Sequence, residues 1–127
     1  MLRILLIDDE VPLTRLLKRA LEQTEECDVQ IANSGRQGLA ALEEFHPDIV
    51  FLDIIMPDMR GTDVLAAMRA DPRFDSIRVV FLTAVPPHDH LVAGEPGVER
   101  PFPGCPYLTK PVTAVQALAE AHRVMSQ

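Results

Sequence analysis

Three acids, Asp8, Asp9 and Glu10, stand directly against the apolar run ILLI at residues 4–7. A second apolar run, IVFL at 49–52, stops at Asp53. A third, VVFL at 79–82, stops at Thr83, and a shorter one, CPYL at 105–108, leads into Lys110. Carboxylates, a hydroxyl and an ammonium group thus recur where buried strands would end. Three carboxylates cannot crowd together unpaired, because like charges raise a pKa or demand a neutralising cation. Oxygen ligands with room for water suit Mg2+, typically held by one or two carboxylates, waters and a phosphoryl oxygen. Lys110 adds a positive charge on a flexible stem, and Thr83 a hydroxyl donor. Such a set is built for phosphoryl transfer, where stabilising charge on the moving group is most of the work. The nucleophile would be the Asp53 carboxylate.

These groups act together only if the elements that carry them share an edge. Residues 3–7, 28–32, 48–52 and 78–82 read as strands, and 105–108 as a weaker fifth. Helical spacing runs over 12–24 through Leu13, Leu16, Leu17, Ala20 and Leu21, with Pro12 in the first turn. It recurs over 35–45 (Leu39, Leu42, Phe45), 62–70 (Val64, Leu65, Met68) and 113–126, with Val115, Leu118, His122 and Met125 on one face. The leucine stripe of residues 13–21 reads as core packing. Alternating strands and helices imply a parallel sheet covered on both faces, and the unbroken apolar strands fit burial on both sides. In an open parallel sheet the C-terminal strand ends share one rim, and ligands bind where the winding reverses. If the strand order is 2-1-3-4-5, that crevice lies between strands one and three. Asp8, Asp9 and Asp53 meet there, with Thr83 and Lys110 beside them.

One stretch breaks the rhythm. Residues 85–106 hold six of the eleven prolines, and an interior proline costs a helix about 3 kcal/mol. An irregular segment is expected there in place of a fourth helix, with at most a turn or two around His88 to Ala93. The HDH at 88–90 and Cys105 have no ligand spacing to support a metal site.

Bulk properties narrow the classes. A chain of 127 residues, 47% of them hydrophobic, is expected to form one domain over 1–127. A net charge of −7 argues against direct contact with nucleic acid or an anionic membrane. Cys27 and Cys105 match no zinc or redox spacing and read as unpaired thiols. No run approaches the roughly 18–20 apolar residues of a membrane span, and acids at residue 8 argue against a signal peptide. The expectation is a reduced, cytoplasmic protein.

LLIDDE at 5–10, DIVFLDIIMPDMRG at 48–61, VVFLTA at 79–84 and YLTKP at 107–111 together resemble the receiver domain of two-component response regulators, in a single-domain, chemotaxis-regulator-like form. The resemblance covers essentially the whole chain. It implies a flavodoxin-like three-layer α/β sandwich around a five-stranded parallel sheet of order 2-1-3-4-5. It implies that Asp53 takes a phosphoryl group from a histidine kinase or histidine phosphotransfer protein, with Mg2+ as cofactor. Asp9 would ligate the metal directly, Asp8 through water, and Asp53 and the backbone carbonyl of Ile55 would complete the protein's share. Thr83 and Lys110 would grip the phosphoryl oxygens, and Tyr107 would be the switching aromatic that follows Thr83. Pro111 stands where the family often has a cis proline, and Met56-Pro57 with Gly61 resembles the turn after the phosphorylated aspartate.

Such a domain catalyses its own phosphorylation and dephosphorylation but is mainly a signalling switch. Its output is a downstream protein target or a fused output domain, and a homodimer is open. No output domain is expected within these residues, which leaves a stand-alone regulator or a receiver from a longer protein. Two departures carry expectations of their own. The long proline-rich interval between Thr83 and Lys110 falls in the region where the family often binds partners. Ile55 and Val85 lie where side chains flank the attacking water, so slow self-dephosphorylation is expected. The rival readings are a non-phosphorylated receiver-like docking module and a haloacid-dehalogenase-type phosphatase. The latter wants a second acid two residues after its nucleophile, where this chain has Ile55.

Overall fold

The computed structural model describes residues 1–84 and 105–127. The elements alternate as β1 (Leu2–Ile7), α1 (Val11–Glu22), β2 (Cys27–Ala32), α2 (Gly35–Phe45), β3 (Ile49–Asp53), α3 (Gly61–Arg69), β4 (Arg78–Thr83), β5 (Tyr107–Thr109) and α4 (Ala114–Met125). All neighbouring strands pair in parallel, in the order β2-β1-β3-β4-β5. This is the flavodoxin-like sandwich the sequence implied.

The apolar strands serve both faces by alternation, since successive side chains point to opposite sides. Leu5, Ile7, Val50, Leu52, Val79 and Phe81 join Leu42, Phe45, Val64 and Met68 under α2 and α3. Their neighbours Ile4, Leu6, Ile49, Phe51, Val80 and Leu82 join Leu21, Ala117, Ala121 and Val124 under α1 and α4. Helix starts follow local chemistry. Ser34 accepts the Gln37 N–H (3.1 Å) at α2, and Thr113 and Gln116 exchange reciprocal bonds at α4 (3.1 and 3.0 Å). Among the described residues, no helix is long and apolar enough to cross a membrane.

Several expected boundaries and faces shift. The first helix stops at Glu22 rather than 24, where Glu25 turns into the left-handed region at φ 62°. Strand three runs one residue further, so Asp53 is its last residue, and β5 forms at Tyr107–Thr109 rather than 105–108. The leucine stripe of α1 is only partly core. Leu21 is buried, but Leu13 and Leu16 are 48% and 65% exposed. The buried row instead includes Thr14, whose hydroxyl is satisfied by the Glu10 and Val11 carbonyls and so tolerates burial. In α4 the buried face is Ala117, Ala121 and Val124, while Val115 is 78% exposed. Residues 85–104 of the irregular segment, with the turn at His88 to Ala93, the HDH at 88–90 and Val85, lie outside the described residues.

Candidate functional site

Parallel pairing brings the strand ends to one rim. Asp8 follows β1, Asp53 closes β3, Thr83 closes β4, and Lys110 follows β5. Asp8, Asp9 and Asp53 each present a carboxylate oxygen, and these oxygens lie within 4.8 Å of one another. Asp8 and Asp53 are buried and Asp9 is half-buried. The Lys110 ammonium sits against this cluster, 2.8 Å from Asp8 Oδ2 and 3.3 Å from Asp53 Oδ2, and reaches Glu10 Oε1 at 2.7 Å.

The surrounding loops hold these groups in place. The Lys110 N–H donates to the Thr83 carbonyl (2.7 Å), which ties β5's exit to β4's, and the Lys110–Pro111 peptide is cis. Asp8 Oδ1 accepts the Glu10 N–H (3.0 Å) at the entrance to α1, and Asn33 Nδ2 donates to the Asp8 carbonyl (2.8 Å). After β3, the Gly61 N–H returns to the Ile54 carbonyl (2.8 Å), and Gly61 passes so close to Asp53 that a Cβ there would collide with the Asp53 carbonyl oxygen. Asp58 anchors the same loop to α2 by accepting the Gly35 and Arg36 N–H groups at 3.0 Å each, which lowers its pKa.

Burial, and then the adjacent Asp8 charge, push the Asp53 carboxyl from the usual 3.8 up to about 7, against the pull of Lys110. Burial alone would lower the Lys110 ammonium. Its bonds to Asp8 and Glu10 and the Asp53 charge outweigh that and hold it above the ordinary lysine value. Among the described residues three carboxylates face one ammonium, and Asp9 adds a fourth negative charge to the cluster. The cluster therefore suits a hard divalent cation: oxygen donors, excess negative charge and an open rim.

Residues 4–122 match the response regulator receiver domain family. The chain belongs to that family. The receiver is 32% identical over 124 residues to the DNA-binding dual master transcriptional regulator RpaA of Synechocystis, a match covering 97% of this chain and 48% of that protein. It is 39% identical over 83 residues to the transcriptional regulatory protein TrcR of Mycobacterium tuberculosis, covering 65% and 31%. The matches thus span 31% and 48% of these curated relatives. Its fold superposes on the Vibrio cholerae chemotaxis protein CheY4 with a TM-score of 0.79 at 22% identity, over 98% of each chain. A CheY-like receiver domain protein from Methanospirillum hungatei gives 0.74 at 27% identity, over 99% of this chain and 94% of that one.

Within the receiver, Asp8, Asp9, Asp53 and Lys110 converge as the sequence suggested, and Thr83 ends the neighbouring strand. Ile55 follows Asp53 by two residues with its side chain 74% exposed. Tyr107 opens β5, opposite Phe81 in the pairing register and half-buried against the core under α2 and α3. Sequence reasoning passed over Glu10 as a partner of Lys110, although it stands in the same acidic triplet. It also passed over Asn33 and Asp58, whose roles are backbone contacts with no signature in residue spacing.

Proposed function

We propose that this receiver is a phosphoacceptor in which Asp53 takes a phosphoryl group from the phosphohistidine of a histidine kinase or histidine phosphotransfer protein. An Asp53 carboxylate oxygen bonds to phosphorus as the phosphorus–nitrogen bond of the donor breaks, and the freed imidazole keeps that electron pair and takes up a proton. The observation that carries this reading is the convergence of Asp8, Asp9, Asp53 and Lys110 at one open rim. Asp9, Asp53, the Ile55 carbonyl and Asp8 through water are the groups that would hold Mg2+. When bound, the ion supplies positive charge against the phosphoryl oxygens. Lys110 adds charge on the same oxygens, and Thr83 a hydroxyl donor.

Phosphorylation brings about two negative charges into a pocket lined by Thr83 and Lys110. Thr83 moves toward them, and Tyr107 reports that movement to the surface around β5. The output is a downstream protein or a fused output domain. The relatives named as DNA-binding and transcriptional regulators are about twice this length, and the net charge of −7 disfavours nucleic-acid contact by these residues themselves. Because Ile55 and Val85 bear no group that can orient water, the phosphorylated form decays slowly.

Incubation with acetyl phosphate and Mg2+ tests the reading. The mass should rise by one phosphate in the wild type and not in Asp53→Asn. No gain in either would favour a docking module, and rapid turnover of phosphate esters would favour a phosphatase. A half-life of seconds for the phosphorylated form would overturn the slow-decay expectation.

A further inference from the structure

We propose that Glu10 is a positioning residue for Lys110. It keeps the ammonium over the phosphoacceptor when Asp8 and Asp53 are otherwise engaged. The inference rests on the phosphoacceptor reading and deepens it. An ammonium has three hydrogens to donate, and among the described residues Lys110 faces three carboxylates: Glu10 at 2.7 Å, Asp8 at 2.8 Å and Asp53 at 3.3 Å. Two of these have competing duties. Asp8 and Asp53 belong to the acidic cluster, and Asp53 loses a charge-bearing oxygen when it is phosphorylated. Glu10 is not in that cluster, so its grip on the lysine survives both events.

The contact is also built from the backbone up. The Glu10 N–H donates to Asp8 Oδ1 (3.0 Å), and its carbonyl accepts the Thr14 N–H (3.0 Å) and hydroxyl (3.2 Å). Both polar groups of its main chain are therefore fixed at the start of α1. On the other side, the Lys110 N–H is fixed to the Thr83 carbonyl at 2.7 Å. A four-carbon lysine stem between those anchors would otherwise sample many rotamers, and each lost rotamer costs entropy when the phosphoryl group is gripped. The Lys110 side chain is only 15% exposed while that of Glu10 is 46% exposed. Glu10 thus holds the lysine from the solvent side, over the pocket mouth, and leaves the inward side to the phosphoryl group.

The sequence holds two lysines, Lys18 and Lys110, so amine acylation read by mass spectrometry gives a direct measurement in the metal-free protein. Lys18 pairs with Glu22 further along α1 and serves as the internal reference. In Glu10→Ala, the Lys110-to-Lys18 labelling ratio should rise about three- to fivefold, the factor a part-exposed ion pair carries. Phosphorylation by acetyl phosphate at saturating Mg2+ should slow by a similar about three- to fivefold. Mg2+ affinity by calorimetry should change by less than about twofold, because Glu10 is not expected among the ligands. Glu10→Gln, which keeps an oxygen acceptor, should recover part of the rate. Unchanged labelling in Glu10→Ala overturns the proposal. So does an unchanged phosphorylation rate, and so does a large loss of Mg2+ affinity, which would make Glu10 a ligand instead. If the wild type takes up no phosphate at all, the phosphoacceptor reading fails first and the transfer role of Glu10 falls with it. The labelling contrast still separates that failure from a mistaken lysine contact.

Discussion

Asp53→Asn should make the metal-free protein more stable, and only above a definable pH. The Asp53 carboxyl is raised from 3.8 to about 7 by burial and by Asp8. Between those values the unfolded chain has released this proton while the folded chain retains it, so folding takes up a proton. Stability from this group is therefore present below about pH 4, falls as pH rises, and is lost by about pH 7. A rise of that size corresponds to at most about 4 kcal/mol. Water at the open rim and the charge shared with Asp8 reduce the expected cost to about 1–3 kcal/mol at pH 8. Asparagine has no charge to desolvate and still offers Lys110 an acceptor, so the variant escapes that cost. With no Trp and a single Tyr, urea unfolding is best followed by far-UV circular dichroism, in a chelator, from pH 5 to 8. The variant should exceed the wild type by about 1–3 kcal/mol at pH 8, roughly 3–10 °C in Tm, and the gap should close toward pH 5. Saturating Mg2+ should then raise the wild type by about 1–3 kcal/mol and the variant by less. A variant no more stable than the wild type at pH 8, or an advantage that persists unchanged at pH 5, would refute the reasoning.

Gly61→Ala should cost about 2 kcal/mol or more and slow phosphate uptake, because a Cβ would collide with the Asp53 carbonyl oxygen and displace the acceptor loop; denaturation and acetyl phosphate kinetics read both effects. Ala117→Leu should cost about 1–3 kcal/mol by overpacking the core under α1 and α4, since Ala117 is fully buried; a neutral result by urea unfolding would contradict tight packing at that position. Leu16→Ser should change stability by less than about 0.5 kcal/mol because the side chain is 65% exposed, despite its place in the leucine stripe. Ile55→Asn should shorten the phosphorylated lifetime several-fold by offering a group that can orient water, measured as loss of the phosphate mass with time.

Strand identity and a shared rim for the carboxylates were legible because they depend on local chemistry and on a strong topological rule, while the strand order came with the receiver resemblance. ILLI, IVFL and VVFL are apolar at every position, which only a strand buried on both faces requires. Polar residues at their C-terminal ends then had to share a rim. Given the order 2-1-3-4-5, Asp8, Asp9, Asp53 and Lys110 could be named from that logic. What the chain did not disclose in one dimension were choices between neighbouring faces and contacts made by the backbone. Leu13 and Leu16 satisfy a helical stripe as well as Leu17 and Leu21 do, and the approach of α1 to the sheet turns them outward. Val115 and Met125 are exposed while Ala117 and Ala121 are buried, a choice of face that hydrophobicity alone does not reveal. Glu10 lies next to Asp9 in sequence, yet its partner is a hundred positions away, and only the meeting of α1's start with β5's end brings Lys110 within 2.7 Å. Composition and periodicity determined which elements form and which rim carries the chemistry. The packing of elements against one another decided which face is buried and brought Glu10 to the lysine beside Asp8 and Asp53.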